Sequence, residues 1–329
     1  MNFSHLPKVE LHLHLDCSLS YDIVKELKPG TTYEAFRQSF IAPPKCIDLA
    51  DYIKRAINGF ELMQSREQLQ LVTMDLFRQL KADNVVYAEL RFAPLQHIMQ
   101  GLTAHEVVST VNDTVVKCIE ETGIEASIIL CTLRHYAESQ SMQTAYLVKD
   151  FEGSKVTAFD IAADEAGFPI DSHIAAFQFV RENKIFCTAH AGEARGPQSV
   201  WETMENFRPT RIGHGIRSIE DGGLINFLRE NDIHLEVCPT SNVQTNVVDR
   251  MDDHPAAKIF DQGISMSINT DARTISDVTL GSEYEVMKTI FNWKQSHFLR
   301  CNLEAMRHAF TTEDIRRKIS HKILNGYIG

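Results

Sequence analysis

Short apolar runs recur along this chain, separated by stretches whose apolar residues fall at helical spacing. Eight runs read as strands: 9–15, 85–92, 126–132, 156–161, 185–189, 211–214, 233–237 and 265–270. Between them, Leu49, Tyr52, Ile53, Ala56, Ile57 and Phe60 follow the i, i+3, i+4, i+7 pattern of a helix face. Leu69, Val72, Leu76, Phe77 and Leu80 repeat it. Ser65 with Gln68, and Thr103 with Glu106, have the spacing of capping boxes that open helices.

Strands alternating with helices predict a parallel sheet, and eight such units predict an α/β fold closed as a (β/α)8 TIM barrel. An open doubly wound sheet is the rival, but it rarely needs eight strands, and no G-x-G-x-x-G follows the first run. One interval is too long. About 70 residues separate the first two strands, roughly two or three times the usual βα unit. Residues 17–66 keep amphipathic periodicity, so they predict a helical cap inserted into a single domain spanning 1–329.

The 329 residues carry 44 Asp and Glu against 33 Lys and Arg, a formal charge of −11, which argues against a nucleic-acid or anionic-membrane partner. No stretch approaches the ~20 apolar residues of a membrane span. The opening MNFSHLPKVELHLHL alternates polar and apolar residues, without the apolar core of a signal peptide. Seven scattered cysteines form no C-x-x-C and are too sparse for a secreted disulfide scaffold. A reducing cytoplasm is the expected compartment. Oligomeric state is left open.

Candidate chemistry is densest in the first strand. Side chains alternate along a strand, so His12, His14 and Asp16 share one face while Leu11, Leu13 and Leu15 share the other. In a barrel the leucines pack under helices and the histidines look inward, where they can converge on a metal ion. His190 to Glu193 close the fifth strand, His214 the sixth, and Asp271 the eighth. Barrel active sites are built where those strand ends gather. Four imidazoles and a carboxylate suit zinc or another first-row divalent ion. Each residue alone has a plainer reading: packed histidines, turn glycines beside His190 and His214, and a helix N-cap at Asp271. The remaining histidines, His97 included, read as surface or structural, and His234 opens a strand at the stability end of the barrel.

At these residues the sequence resembles the adenosine deaminase family of metal-dependent hydrolases. PKVELHLHLD (7–16), HAGE (190–193), RIGHG (211–215), CPTSN (238–242) and SINTD (267–271) are similar to that family's motifs and occur in its order. The HAGE glutamate narrows the likeness to 6-aminopurine deaminases. The resemblance implies one zinc ion per chain held by His12, His14, His190 and Asp271. It also implies His214 and Asp271 handling the attacking water, and a protonated Glu193 donating to purine N1. Asp16 would meet a ribose hydroxyl and Ala163 would offer its N–H to purine N3. Phe36 and Phe40 would form an apolar lid, with plain cap packing as the alternative.

The implied reaction is hydrolytic deamination of adenosine and 2′-deoxyadenosine to inosine, 2′-deoxyinosine and ammonia, in purine metabolism. The partner is a small purine nucleoside. Three positions depart from the family: Cys17 and Ala163 replace glycines, and Ala272 replaces a second aspartate that meets purine N7. These departures keep a related 6-aminopurine in view as substrate, such as aminodeoxyfutalosine, another 5′-modified adenosine, or adenine. A barrel that binds a nucleoside or receptor without turnover is a third reading. The zinc deaminases with H-x-E and P-C-x-x-C are excluded, because no C-x-x-C exists.

Overall fold

The computed structural model describes Phe3 and residues 5–328. Met1, Asn2 and Ser4 of the opening segment, and Gly329, lie outside the described residues. The described residues form eight strands: β1 Lys8–His14, β2 Val85–Phe92, β3 Glu125–Leu133, β4 Val156–Ala162, β5 Phe186–Ala191, β6 Arg211–His214, β7 His234–Val237 and β8 Met266–Ile268. Each pairs in parallel with the next, giving the order β1 to β8. With helices between the strands this is the (β/α)8 barrel. No helix among the described residues is long and apolar enough to cross a membrane.

Closure between β8 and β1 uses few backbone bonds. The ladder with β7 ends at Ile268, so β8 is shorter than the 265–270 run predicts. Beyond it, Asp271 N donates to His12 O at 3.0 Å, and His14 N donates to Asp271 O at 2.8 Å. The Asn269 side chain reinforces this seam by accepting from Leu11 N and His12 N at 2.8 and 3.1 Å. Asp271 is thereby locked beside the first-strand histidines. Strand β5 runs further than expected, since His190 and Ala191 pair with Gly213 and His214.

Alternation in β1 sends Val9, Leu11 and Leu13 into the apolar core under the helices. The opposite face enters a barrel interior filled with charge. Arg91 on β2 donates to Asp160 on β4 at 2.8 Å and to Glu236 on β7 at 2.6 Å. Arg211 on β6 bridges Glu236 and Glu89 at 2.7 and 2.6 Å. All five side chains are fully buried, so each charge depends on its partners for the hydration it has lost.

Between β1 and β2 the chain forms α1 Tyr21–Leu27, α2 Tyr33–Phe40, α3 Leu49–Ile53, α4 Ala56–Glu61 and α5 Arg66–Ala82. Ser20, Thr32 and Asp48 cap α1 to α3, and Ser65 with Gln68 forms the capping box of α5. The apolar stripe from Leu49 to Phe60 is divided between α3 and α4, which break at Lys54 and Arg55. Gly59 seats α4 on the turn after β1. A Cβ at that position would lie 2.2 Å from Asp16 O, so only glycine allows the approach.

Candidate active site

The C-terminal ends of the strands open into one cavity of about 560 Å³. At its floor, His12, His190, His214 and Asp271 bring one ligand atom each within 4.8 Å of one another. His14 joins them, with Nε2 at 3.2 Å from His190 Nε2 and 3.3 Å from Asp271 Oδ1. His12 Nε2 lies at the same 3.3 Å from that carboxylate oxygen.

Outer partners set the direction of each ring. Glu236 accepts from His12 Nδ1 at 2.9 Å, and Asp160 from His190 Nδ1 at 3.2 Å. A carboxylate at Nδ1 keeps the proton there and turns the Nε2 lone pair toward the cluster, the tautomer a metal requires. His12 Nε2 is buried with no hydrogen-bond partner, so its lone pair is oriented yet unsatisfied. Ser241 Oγ donates to Asp271 Oδ2 at 2.7 Å, leaving Oδ1 to face the histidines. Converging imidazoles, a carboxylate and an orphaned buried nitrogen fit a divalent metal ion.

Glu193 stands beside this cluster, with Oε2 at 3.5 Å from His214 Nε2 and Oε1 buried without a partner. Burial, reinforced by the negative charges of Asp271 and Glu165, pushes its carboxyl well above the ordinary range. Burial also holds His214 in its neutral form, and the Asn242 amide donates to its Nδ1 at 3.1 Å. A carboxyl biased toward its protonated form and an imidazole biased toward its neutral form thus face the same space.

His14, Asp16, Ala163, His190, Glu193, His214 and Asp271 all line the cavity, while His12 lies just below it. Asp16 accepts from Ala93 N at 3.2 Å and lies 3.6 Å from the buried ring of His97. His97, one of the scattered histidines by sequence, thus supports a cavity residue. Cys17 points its thiol at Asp16, with Sγ donating to Oδ1 across 3.7 Å, and burial raises the thiol well above its ordinary range.

Phe36 and Phe40 do not line this cavity and instead show the packing given as the alternative to a lid. Their rings stack on each other at 5.2 Å, and Phe36 also packs on Tyr21. Their shared face of α2 is turned into the apolar core. Helices α3 and α4 present Leu49, Tyr52, Ile53, Ile57 and Phe60 to the cavity instead, the stripe visible in sequence but without an assigned role.

Three cavity residues adopt left-handed backbone without being glycine: Ala163 at φ +78°, His214 at +60° and Asp271 at +65°. Strain of this kind persists where the surrounding structure holds it. Ala272 places a methyl in the wall, and the following Arg273 turns away to bond Glu10 and Asp83 at 2.5 and 3.1 Å. Asp160, Glu236, Arg91 and Glu165 carry no motif of their own in sequence. The only hint is a charge inside or just after an apolar run.

An imidazole–carboxylate cluster at the C-terminal mouth of a (β/α)8 barrel places the protein among metal-dependent hydrolase barrels. Residues 7–325 match the family model described as adenosine deaminase. The adenosine deaminase of Clostridium acetobutylicum is 33% identical over 326 residues, covering 97% of each chain. Among solved structures, the adenine deaminase of Arthrobacter aurescens superposes with a TM-score of 0.91 at 20% identity, covering 98% of this chain and 100% of that one. An amidohydrolase of Burkholderia ambifaria, determined with bound zinc, gives a TM-score of 0.90 at 19% identity, covering 99% and 92%. The chain belongs to the adenosine deaminase family.

Proposed function

We propose that this protein catalyses the hydrolytic deamination of adenosine and 2′-deoxyadenosine, releasing inosine or 2′-deoxyinosine and ammonia. The observation that carries this reading is the pairing of Glu193, a buried carboxyl kept protonated, with the donor cluster beside it. One zinc ion per chain, held by His12, His14, His190 and Asp271, fits the donor set. Zinc in such a site lowers the pKa of water toward neutrality.

Asp271 and His214 orient the attacking water at C6 of the purine. Attack breaks the aromaticity of the ring, so N1 must gain a proton as the bond forms. Glu193 supplies it, and its raised pKa keeps that proton available near neutral pH. Cleavage of the bond from C6 to the exocyclic nitrogen then releases ammonia. Asp16 would accept from a ribose hydroxyl, and the Ala163 N–H would meet purine N3. The apolar stripe of α3 and α4 lines the cavity, where it would cover the base and exclude water. We read the chain as one domain with residues 17–66 as this cap. Its seven cysteines are all unpaired, which fits the cytoplasm.

Ala272 favours one second reading. Its methyl offers the purine neither charge nor hydrogen bond, so a related 6-aminopurine such as adenine or a 5′-modified adenosine remains a candidate substrate. A panel of purine nucleosides and bases, followed by ultraviolet absorbance and ammonia release, separates the two. Adenosine turning over fastest supports the first; a faster 5′-modified analogue or adenine supports the second. No deamination across the panel by the zinc-loaded protein would overturn both.

A further inference from the structure

Glu193 is aimed by something other than its own carboxyl. Among the described residues Oε1 has no partner, and Oε2 has only His214 at 3.5 Å. This suits an acid that must keep its proton, because donors on those oxygens would favour the ionised form. Its direction therefore has to come from the backbone that carries it.

That backbone is gripped by Glu165. The Glu165 side chain is 1% exposed and extends from the loop after β4 toward the loop after β5. Its Oε1 accepts from Gly192 N at 2.7 Å and Ser199 Oγ at 2.5 Å. Its Oε2 accepts from Glu193 N at 3.0 Å and Arg195 N at 2.9 Å. Four donors on two oxygens fill the accepting capacity of a carboxylate along one fixed direction. Gly192 completes the clamp from the other side. It has φ +64°, and a Cβ there would meet Val200 Cγ2 at 2.5 Å, so the loop lies against the helix Pro197–Asn206 without slack. Glu165 also follows Ala163 by two residues, so one side chain joins the wall facing purine N3 to the acid facing N1.

We propose that Glu165 is a positioning residue, which by holding the backbone N–H groups of residues 192, 193 and 195 aims the Glu193 carboxyl at the substrate. The inference rests on the reading of Glu193 as proton donor. Glu165→Gln keeps the volume but replaces one accepting oxygen by an NH2 group that opposes the backbone donors.

A double-substitution cycle on the zinc-loaded enzyme tests this. Glu165→Gln is expected to lower kcat by roughly 10²-fold, the scale of a misplaced general acid, with KM little changed and full metal content. In the Glu193→Gln background the same change should cost nothing further, because the residue it serves is already gone. A loss that multiplies with that of Glu193→Gln, a rise in KM alone, or loss of metal would overturn the proposal while leaving the donor reading intact. Full turnover by Glu193→Gln would overturn both. Should Glu165→Gln fail to fold, Ser199→Ala removes one bond to the same carboxylate. It should lower kcat in the wild-type background and have no effect on Glu193→Gln, and any other pattern counts against the clamp.

Discussion

Arg91 Nη1 donates to Asp160 at 2.8 Å, and the same guanidinium reaches Glu236 at 2.6 Å with its other terminal nitrogen. Asp160 and Glu236 are the carboxylates that orient His190 and His12. One buried cation therefore supports two rings of the cluster at once, and neither carboxylate can turn without breaking an ion pair.

Replacing Arg91 by Leu should leave two buried carboxylates short of their common partner. Breaking a buried pair costs about 3–5 kcal/mol. Lost outer-partner support lowers metal affinity by roughly 10–100-fold. Thermal unfolding of the metal-free protein and chelator competition read the two effects separately, and unchanged zinc affinity would contradict the positioning argument.

Glu193 should set the alkaline side of the activity profile. Burial first, then Asp271 and Glu165, raises its pKa, so the competent protonated form persists near neutrality and is lost as pH rises through the raised value. The log kcat profile should fall on that side with unit slope. Glu193→Gln should retain metal, lose about 10²–10⁴-fold in kcat, and lack that fall in its residual rate. An unaltered alkaline limb in the variant would assign it to another group.

Ala163 holds its backbone at φ +78°, where a Cβ costs about 1–2 kcal/mol. Glycine removes that strain but adds freedom to the unfolded chain worth ~0.4–1 kcal/mol. Ala163→Gly should therefore raise stability by roughly 0.5 kcal/mol and enlarge the cavity by a methyl group. Ala163→Val should destabilise. Denaturant midpoints check both signs.

Gly59 tests the seating of the cap. Its missing Cβ would lie 2.2 Å from Asp16 O, so Gly59→Ala must push α4 away or move the turn that carries Asp16. Overpacking of this kind costs about 1–3 kcal/mol. KM should rise more than kcat falls, since Glu193 and the cluster stay in place. Steady-state kinetics with unchanged KM would mean the cap does not shape the substrate cavity.

Period-two alternation in β1 made His12 and His14 legible as one inward face, and the apolar runs made eight parallel strands legible as a barrel. Alternation reports which residues share a face. It does not report what that face meets, and the two phenylalanines of α2 show the difference: the family resemblance put Phe36 and Phe40 in a lid, while packing turned their face into the core. The stripe that does line the cavity had equal periodicity and no distinguishing mark. Arg91 lies 69 residues from Asp160 and 145 from Glu236, so only closure of the barrel reveals the three as one unit. Glu165 was opaque for the same reason, its partners being the backbone of a loop whose path no local pattern specifies.

The seam between β8 and β1 has a consequence for biosynthesis. A chain leaves the ribosome N-terminus first, so His12 and His14 emerge at the outset, His190 past mid-length, and Asp271 only after some four-fifths of the polypeptide. Until Asn269 and Asp271 arrive, the first strand lacks its last neighbour and the imidazoles lack their carboxylate. A metal ion bound by this cluster would therefore meet its full donor set only on a nearly finished translation product.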